Sequence, residues 1–282
     1  MLVKNPAFSK EAVAKYYDIT EVLYTSIYSK EHVHFGMWDN NTKSFDEALE
    51  NTTKFVIDCL DIQVGDLVLD AGCGIGGSSR YIVSNFGVKT IGITNSNNQL
   101  KKAKEFSQTV KNRSLLEFYN QDFTQTEFPN ESFTKIFAIE SACHSPRGFV
   151  KEAYRLLKPG GRLVIDDAVQ VKAHLTKKEQ KLLLGALKGW VLPQSETKQE
   201  AFKYLHQVGF KNIKFFDKKQ AIYKTSWMIH RRAKHLFPIT FLLSKLKLIP
   251  QMWHDFVRAN YNQKLLMDRE VVTYGVFVAD KV

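Results

Sequence analysis

A short apolar strand that runs into a glycine-dense turn is the feature that most constrains the fold of this chain. Val68 and Leu69 form the apolar end of the predicted strand, and Asp70 stands where the chain leaves the sheet. The following segment, 72–77, contains four glycines in the pattern Gly-x-Gly-x-Gly-Gly. Glycine reaches backbone angles closed to other residues, and its missing side chain lets a ligand lie against the main chain. The pattern is a loose relative of the dinucleotide-binding fingerprint, so it predicts a nucleotide-like cofactor, with a purely structural turn as the alternative.

The apolar pattern alternates between strand-like and helix-like segments up to residue 168, which is typical of a parallel sheet with crossover helices. The predicted strands are 66–71, 88–93, 115–120, 133–139 and 162–167, and the predicted helices are 77–86, 97–110 and 147–158. Pro159-Gly160-Gly161 ends the last of these helices. A doubly wound sheet of this kind binds its ligand at the carboxyl ends of the strands.

The pattern is less regular after residue 168. It predicts helices 177–190 and 196–207, a strand 211–216, a long helical stretch 220–248 broken at Pro238 and Pro250, and a final strand 271–279. We expect the strand 211–216 to pair with the final strand.

The positive charge is concentrated in the second part of the chain. The formal net charge is +11, yet residues 1–169 carry 19 Lys and Arg against 21 Asp and Glu, whereas residues 170–282 carry 21 against 8. The basic part contains no motif for binding DNA or RNA, so a nucleic-acid partner is not expected. An anionic substrate, an anionic membrane surface and a solvated basic face remain as explanations.

Cysteine usage and hydropathy suggest a cytoplasmic protein. Cys59, Cys73 and Cys143 are an odd count without paired spacing, which argues against a disulfide framework and against zinc, so three free thiols are expected. No run approaches the roughly 18 apolar residues of a membrane-spanning helix. The segment from Met1 to Lys15 lacks the apolar core of a signal peptide. No metal site is predicted, since Asp166-Asp167 at the end of a strand is too common a pair to indicate one.

Two motifs at the ends of the first and second predicted strands point to a family. They read Leu69-Asp-Ala-Gly-Cys-Gly74 and Gly92-Ile-Thr-Asn-Ser-Asn-Asn-Gln99. With them the chain resembles the class I S-adenosylmethionine-dependent methyltransferases, and the second motif is similar to the version in the tocopherol, sterol and cyclopropane-fatty-acid branches. The resemblance covers nearly the whole chain. It implies an α/β fold: a Rossmann-like, doubly wound, seven-stranded sheet, mostly parallel with an antiparallel last strand, carrying an N-terminal helical lid and a late helical cap.

The same resemblance implies S-adenosylmethionine as the cofactor and assigns residues to it. The glycine turn with Asp70, Gly72 and Gly74 would pack against the methionine part. Most class I enzymes have an acidic residue after the second strand that holds the ribose hydroxyls, but this chain has none. We therefore expect these hydrogen bonds from three other polar residues: Thr94, Asn95 and Gln99.

The segment Gln121-Asp122-Phe123 follows the third predicted strand. It matches the family position at which an aspartate accepts a hydrogen bond from the adenine amino group and an apolar neighbour covers the ring. The alternative for Asp122 is a helix or turn cap.

The N-terminal part resembles the tyrosine-rich lid of small-molecule methyltransferases in these branches. It contains Tyr16-Tyr17-Asp18, Tyr24, Tyr28 and His34-Phe-Gly-Met-Trp38. Aromatic faces suit a sulfonium because their negative quadrupole stabilises a positive centre. We expect Tyr17, Phe35 and Gly36 to contact the cofactor, and Tyr16 and Tyr28 to belong to the core.

The segment Ile139-Glu-Ser-Ala-Cys-His-Ser-Pro146, just past the fourth strand, carries the predicted chemistry. It is similar to a stretch of sterol C-methyltransferases, and prenyl diphosphate C-methyltransferases have a comparable glutamate. Methyl transfer to a double bond creates a carbocation, which Glu140 could stabilise and then deprotonate. His144 could act as a general base for an oxygen or nitrogen acceptor, or it could hold the lid through a hydrogen bond.

Large apolar residues in the predicted cap suit a hydrophobic acceptor. They are Trp190, Trp227, Phe237, Phe241, Leu242, Leu243 and Trp253. The segment 227–248 mixes them with basic residues, as a membrane-surface helix would, although a plain cap helix with a basic edge has the same composition. The pairing of apolar and basic residues favours an isoprenoid, sterol or lipid-like acceptor. An acceptor with an anionic head also fits this pairing.

The sequence therefore predicts three parts: a helical lid over 1–60, a cofactor-binding core over 61–169, and a substrate cap with the last two strands over 170–282. The predicted function is S-adenosylmethionine-dependent C-methylation of an isoprenoid or sterol-like alkene. The alternatives are N- or O-methylation of an aromatic amine, alkaloid or phenol, and a non-catalytic binding protein. The expected partners are a hydrophobic small molecule and, at the periphery, an anionic membrane surface, but no nucleic acid.

Overall fold

A computed structural model describes residues 3–27 and 33–282 of the chain. The helices are α1 (Lys10–Ile27), α2 (Phe45–Leu60), α3 (Gly77–Phe86), α4 (Asn97–Phe106), α5 (Pro146–Leu156), α6 (Lys177–Gly189), α7 (Lys198–Val208), α8 (Lys219–Lys245) and α9 (Gln251–Asp268). The strands are β1 (Leu67–Ala71), β2 (Lys89–Thr94), β3 (Leu116–Asn120), β4 (Phe133–Ile139), β5 (Leu157–Gln170), β6 (Lys211–Asp217) and β7 (Val272–Asp280).

The seven strands form one sheet in the order β3-β2-β1-β4-β5-β7-β6. The first five strands pair in parallel, whereas β7 runs antiparallel to both β5 and β6. The order reverses between β1 and β4, so a ligand crevice is expected beyond their carboxyl ends. The predicted fold class and the pairing of the last two strands are confirmed.

Helices cover both faces of the sheet, and this explains why the central strands are apolar along their length. Successive residues of a strand face opposite sides. Val68 accordingly belongs to the core cluster that includes Val56 and Ile57 of α2, whereas Leu69 belongs to the cluster that includes Phe149 of α5. The sheet is thus held between two apolar layers, and its carboxyl edge is left for the site.

The predicted break at Pro238 is wrong, because α8 continues through this residue to Lys245. Proline in a helix interior removes one backbone hydrogen bond and costs about 3 kcal/mol. Contacts with α9 offset this cost. The rings of Phe237 and Phe241 lie 5.0 and 5.5 Å from that of His254, and Thr240 Oγ1 lies 3.2 Å from its Nδ1.

The helix α9 was not predicted, because its buried face is partly polar. Asn260, Asn262 and Gln263 are all buried there, which interrupts the apolar period that marks a helix. Their amides are satisfied internally. Asn262 Nδ2 donates to the carbonyl of Leu182, and Gln263 Oε1 accepts from Ser226 Oγ at 2.6 Å.

Over residues 3–27 and 33–282, none of the helices has both the length and the hydropathy of a membrane span. All three cysteines are free thiols, as expected.

Candidate active site

The glycine turn after β1 is shaped by its neighbours as well as by its glycines. The amides of Gly72 and Cys73 both donate to the carbonyl of Ile93 in β2, at 2.9 Å each. Gly72 has a φ of +83°, and a Cβ there would lie 2.4 Å from the Cβ of Ser141. Only glycine fits this position, so the turn can pass close beneath any ligand at the sheet edge.

A donor cavity lies over this turn, at the carboxyl ends of β1, β2 and β4. Eight of the residues predicted to bind the cofactor line it, together with both predicted catalytic residues: Tyr17, Gly72, Gly74, Thr94, Asn95, Gln99, Asp122, Phe123, Glu140 and His144. The lining thus combines open backbone, amide and hydroxyl groups, a carboxylate and an aromatic ring. Thr94 Oγ1 donates to Gln99 Oε1 at 2.8 Å, which presents the Gln99 amide nitrogen as a donor. These groups fit the methionine, ribose and adenine parts of S-adenosylmethionine.

Two residues predicted at the cofactor serve the packing around the cavity instead of lining it. The carboxylate of Asp70 is buried and accepts from Ser79 Oγ at 2.6 Å. Burial raises its pKa to about 7. A Cβ on Gly36 would lie 2.8 Å from that of Ala48, so Gly36 allows the 33–38 segment to press against α2.

The predicted adenine segment divides into a structural residue and two lining residues. Gln121 Oε1 accepts from the amide of Glu127 at 3.0 Å, and this residue does not line the donor cavity. Asp122 does line it, and its Oδ1 also accepts from the amide and hydroxyl of Thr124. Both readings of Asp122, ligand-facing and turn-capping, therefore agree with the geometry.

The lid helix α1 is joined to the site at two points. Tyr17 Oη lies 2.9 Å from Nε2 of His144, and Asp18 Oδ1 accepts from Ser96 Oγ at 2.9 Å. Tyr16 is fully buried in the core, as predicted. The side chain of Tyr24 and the whole of Tyr28 lie outside the described residues.

Glu140 stands at the end of β4 in a strained conformation, with a φ of +49° that a side-chain-bearing residue rarely adopts. Its Oε1 accepts from the amide of Phe35 at 2.5 Å and from the hydroxyl of Tyr274 at 2.7 Å. Burial raises the pKa of this carboxyl to about 8. Its Oε2 has no hydrogen-bond partner among the described residues, so this oxygen is available to a bound molecule.

A tyrosine bridge links Glu140 to a second carboxyl. Tyr274 Oη lies 2.7 Å from Glu140 Oε1 and also 2.7 Å from Asp166 Oδ2. A phenol has one proton, so it can donate to only one of them. The other contact requires a proton on a carboxyl. Asp166 is fully buried, its Oδ1 has no partner among the described residues, and burial raises its pKa well above the usual range. Asp166 therefore holds that proton, and Glu140 accepts the hydrogen bond that the Tyr274 hydroxyl donates.

His144 is buried between the lid and the cap. Its Nδ1 lies 3.2 Å from the carbonyl of Val191, which can only accept, so Nδ1 carries the proton and Nε2 accepts from Tyr17. Burial lowers the pKa of the ring to about 4. The geometry favours the lid-holding role over that of a general base.

A second, acceptor cavity adjoins the donor cavity. Tyr17, Glu140 and His144 line both, so these three side chains form the wall between them. Phe35, predicted at the cofactor, lines the acceptor cavity. Most of the other lining is apolar and comes from α5, β5, β7 and the cap segment: Val150, Ile165, Val169, Leu183, Leu187, Trp190, Leu205, Ile222, Leu266, Met267 and Phe277.

The polar part of this lining is acidic or neutral. Asp167 and Glu196 join Glu140, and none of the described residues that line the cavity is Lys or Arg. An anionic acceptor head, which the charge of the cap suggested, would meet only carboxyls and neutral groups here. No group of three or more His, Cys, Asp or Glu within the described ranges could hold a metal ion.

Comparison with known families agrees with this geometry. A family model described as mycolic acid cyclopropane synthetase matches residues 5–228. The chain belongs to the mycolic acid cyclopropane synthetase family. This confirms two predictions made from the motifs: the chain is a member of a methyltransferase family, and the cofactor of that family is S-adenosylmethionine.

The relatives of this chain include enzymes that methylate sterols. The sterol 24-C-methyltransferase of Saccharomyces cerevisiae is 33% identical over 166 residues, which cover 58% of this chain and 43% of the yeast enzyme. The cycloartenol-C-24-methyltransferase of Arabidopsis thaliana is 36% identical over 153 residues, 53% of this chain and 45% of that enzyme. The chain spans about half of the length of the curated relatives that it matches.

Among solved structures, a cyclopropane synthase from Mycobacterium tuberculosis has the same fold, with a TM-score of 0.81 and 17% identity over 98% of this chain and all of that one. The coverage shows that the two chains share this fold along nearly their whole length.

Sequence reasoning missed Asp166 and Tyr274 as partners of Glu140. One signal was present: β5 pairs with β4, and Ile139 lies opposite Asp166, so the two carboxyls had to meet at the same sheet edge. Tyr274 gave no signal, because its position depends on the antiparallel register of Ala168 with β7.

Proposed function

We propose that this protein transfers a methyl group from S-adenosylmethionine to a carbon of a neutral isoprenoid or sterol-like alkene. The observation that carries the proposal is the position of Glu140, in the wall between the donor cavity and an apolar, cation-free acceptor cavity. Similarity to sterol 24-C-methyltransferases supports it. The acidic lining favours a neutral alkene over a diphosphate ester.

The apolar cavity would orient the alkene and exclude water. S-adenosylmethionine, when bound, supplies an electrophilic methyl group on a sulfonium. Addition of that methyl to a double bond leaves a cation on the acceptor carbon, and water would quench it unless the site is dry. Glu140 lines both cavities, so a carboxylate here would stabilise the cation and accept the proton whose loss restores a double bond.

The hydrogen bonds of Glu140 suit this role. Two donors, the amide of Phe35 and the hydroxyl of Tyr274, converge on Oε1 and leave Oε2 for the reaction. In the empty site burial raises the pKa of Glu140 to about 8, which favours the neutral acid at pH 7. A cation bound next to it favours the carboxylate. A sulfonium in the donor cavity would therefore favour the carboxylate form of Glu140, which is the form that can act as a base.

Methyl-labelled S-adenosylmethionine tests the proposal. The purified protein is incubated with lanosterol, farnesol, geranyl diphosphate, an aromatic amine and a phenol, and the products are analysed by mass spectrometry. We expect a methyl group on carbon, stable to acid, on a neutral alkene. We expect Glu140→Gln to lower turnover about 100-fold or more, with unchanged affinity for S-adenosylhomocysteine by calorimetry.

The Glu105→Gln variant is the matched control, because it removes one exposed carboxylate from a residue that lines neither cavity. Near-normal turnover of Glu140→Gln, or a methyl group found on nitrogen or oxygen, would contradict the proposal. Failure to bind the cofactor would contradict any methyltransferase activity.

We also propose that the protein docks on an anionic membrane surface through an apolar tip, defined as residues 236–248. Its outward side chains are exposed: Leu236, Ile239, Phe241, Leu242, Leu246 and Leu248. The surrounding segment 218–254 contains eight Lys and Arg and no Asp or Glu. Apolar insertion beside basic residues is the combination that anionic bilayers bind.

A further inference from the structure

One side of the acceptor cavity is closed by the end of α6 and the loop that follows it. We call residues 187–196 the roof segment. Six of its ten residues line the cavity: Leu187, Trp190, Leu192, Gln194, Ser195 and Glu196. Past Gly189 the segment belongs to no helix or strand. Its backbone groups therefore need hydrogen-bond partners from elsewhere in the chain.

The N-terminal residues 3–5 supply such partners. The amide of Asn5 donates to the carbonyl of Pro193 at 2.8 Å, and the amide of Ser195 donates to the carbonyl of Val3 at 3.0 Å. The Val3 side chain packs against the apolar cluster between α6 and α9. The roof segment is thus clamped by a stretch of chain that lies more than 180 residues away in sequence.

The side chain of Asn5 reinforces this clamp. Only 7% of Asn5 is exposed. Its Nδ2 donates to the carbonyls of Leu192 and Leu187, at 3.1 and 3.4 Å, and its Oδ1 accepts from the amide of Ala7 at 3.1 Å. A carbonyl can only accept, so this orientation of the amide is fixed. One side chain therefore ties the last turn of α6 to the loop that follows.

The same stretch of chain continues to the donor cavity. The amide of Phe8 donates to the carbonyl of Asn5 at 3.3 Å, and Phe8 lines the donor cavity. This link uses the Asn5 backbone, and the turn at Ala7 uses Oδ1. The Nδ2 group alone serves the roof segment, so a substitution that removes only this group separates the two cavities.

We infer that Asn5 is a positioning residue of the acceptor cavity, because its side-chain amide holds the roof segment in the place where its apolar side chains contact the acceptor. Without the amide, the carbonyl of Leu192 loses a buried donor, and the loop gains by opening towards water. The inference rests on the proposed function only for the nature of the molecule that the cavity binds.

Hydrogen exchange followed by mass spectrometry tests the position of the roof segment, and it needs no acceptor. Asn5→Asp is the decisive variant, because the carboxylate keeps an oxygen for Ala7 but has no N–H for Leu187 or Leu192. We expect peptides that cover 187–196 to exchange about threefold or more faster than in the wild type, with the strands unchanged. Asn5→Ala should have the same effect on this segment.

Binding of farnesol and lanosterol measures the consequence for the cavity. Each is titrated into the protein with S-adenosylhomocysteine present. We expect at least one of them to bind Asn5→Asp about threefold or more weakly than the wild type, whereas the Kd for S-adenosylhomocysteine changes less than about twofold. Asn41→Asp, the same substitution at an exposed residue that lines neither cavity, should match the wild type in both measurements.

Unchanged exchange over 187–196 in both Asn5 variants would overturn the inference. Faster exchange with unchanged affinity for every probe that the wild type binds would do the same. Faster exchange along the whole chain would assign Asn5 to general stability, which thermal unfolding measures, and would also overturn it. If the wild type binds neither probe, the proposed function is contradicted, whereas faster exchange confined to the roof segment still supports the position that Asn5 imposes.

Discussion

Glu140 combines three features that each cost free energy: a left-handed backbone, a partly desolvated carboxyl and a second buried carboxyl at the other side of Tyr274. Such costs persist only where the surrounding fold imposes them, and they concentrate at functional sites. Asp166 remains protonated, and this lowers the electrostatic cost of burying two carboxyls side by side. The arrangement keeps Glu140 the only member of the pair that a bound cation would ionise.

The raised pKa of Glu140 predicts how the stability of the protein depends on pH. Because the folded state holds this proton up to about pH 8, against 4.5 for an ordinary glutamate, folding is disfavoured progressively as pH rises between these values. Glu140→Gln keeps an oxygen for Phe35 and Tyr274 but cannot ionise. We expect it to raise the free energy of unfolding by roughly 1–3 kcal/mol at pH 8–9, with no gain at pH 4.5.

Urea denaturation at several pH values measures this difference. Glu105→Gln should follow the wild type throughout, since its carboxyl is exposed. A Glu140→Gln variant less stable than the wild type at pH 9 would show that the charged carboxylate stabilises the fold, contrary to this account.

At the scale of elements, two consecutive residues of α1, the helix of the predicted lid, form hydrogen bonds with segments that follow β4 and β2. Tyr17 reaches the segment after β4, and Asp18 reaches Ser96 after β2. The same Ser96 hydroxyl accepts from the amide of Gln99 and so caps α4. One side chain thus links the lid to the helix that carries a predicted ribose-binding residue.

Asp18→Ala should weaken cofactor binding through this link, although Asp18 is not among the residues that line the donor cavity. The loss of a hydrogen bond worth about 0.5–1.5 kcal/mol corresponds to a roughly two- to tenfold higher Kd for S-adenosylhomocysteine. Calorimetry measures it. Lys15→Ala, an exposed substitution on the same helix, should leave the Kd unchanged. Equal affinities of Asp18→Ala and wild type would exclude a role of this contact in closing the lid.

The strands and the glycine turn could be predicted because local sequence determines them. Each strand has its own apolar run, and Gly72 occupies a position where a side chain would clash. Helix α9 could not, since its polar residues become acceptable only after Leu182 and Ser226 supply partners. Glu140 was predictable as the residue that follows an apolar strand. Its bridge to Asp166 was not, because Tyr274 comes from 134 residues further along the chain.

At the scale of the whole molecule, the basic residues lie apart from the acceptor cavity. The acceptor cavity is acidic and apolar, whereas the basic residues of the cap lie on its outside, on α8 and around the apolar tip. The positive net charge of residues 170–282 is therefore a property of the outer surface and not of the acceptor cavity. A hydrophobic acceptor dissolved in a bilayer would be delivered to a protein that docks there.

Vesicle binding tests this arrangement. We expect the protein to sediment with vesicles of phosphatidylcholine and phosphatidylserine, less so at high salt, because screening weakens the attraction of the basic residues. Leu242→Ser, Leu246→Ser and Leu248→Ser together should weaken binding more than about tenfold, since each leucine contributes apolar area to insertion. Val64→Ser, at a fully exposed apolar residue elsewhere on the surface, is the control. Undiminished binding of the triple variant would place the contact on another surface, and equal binding to pure phosphatidylcholine would remove the role of charge.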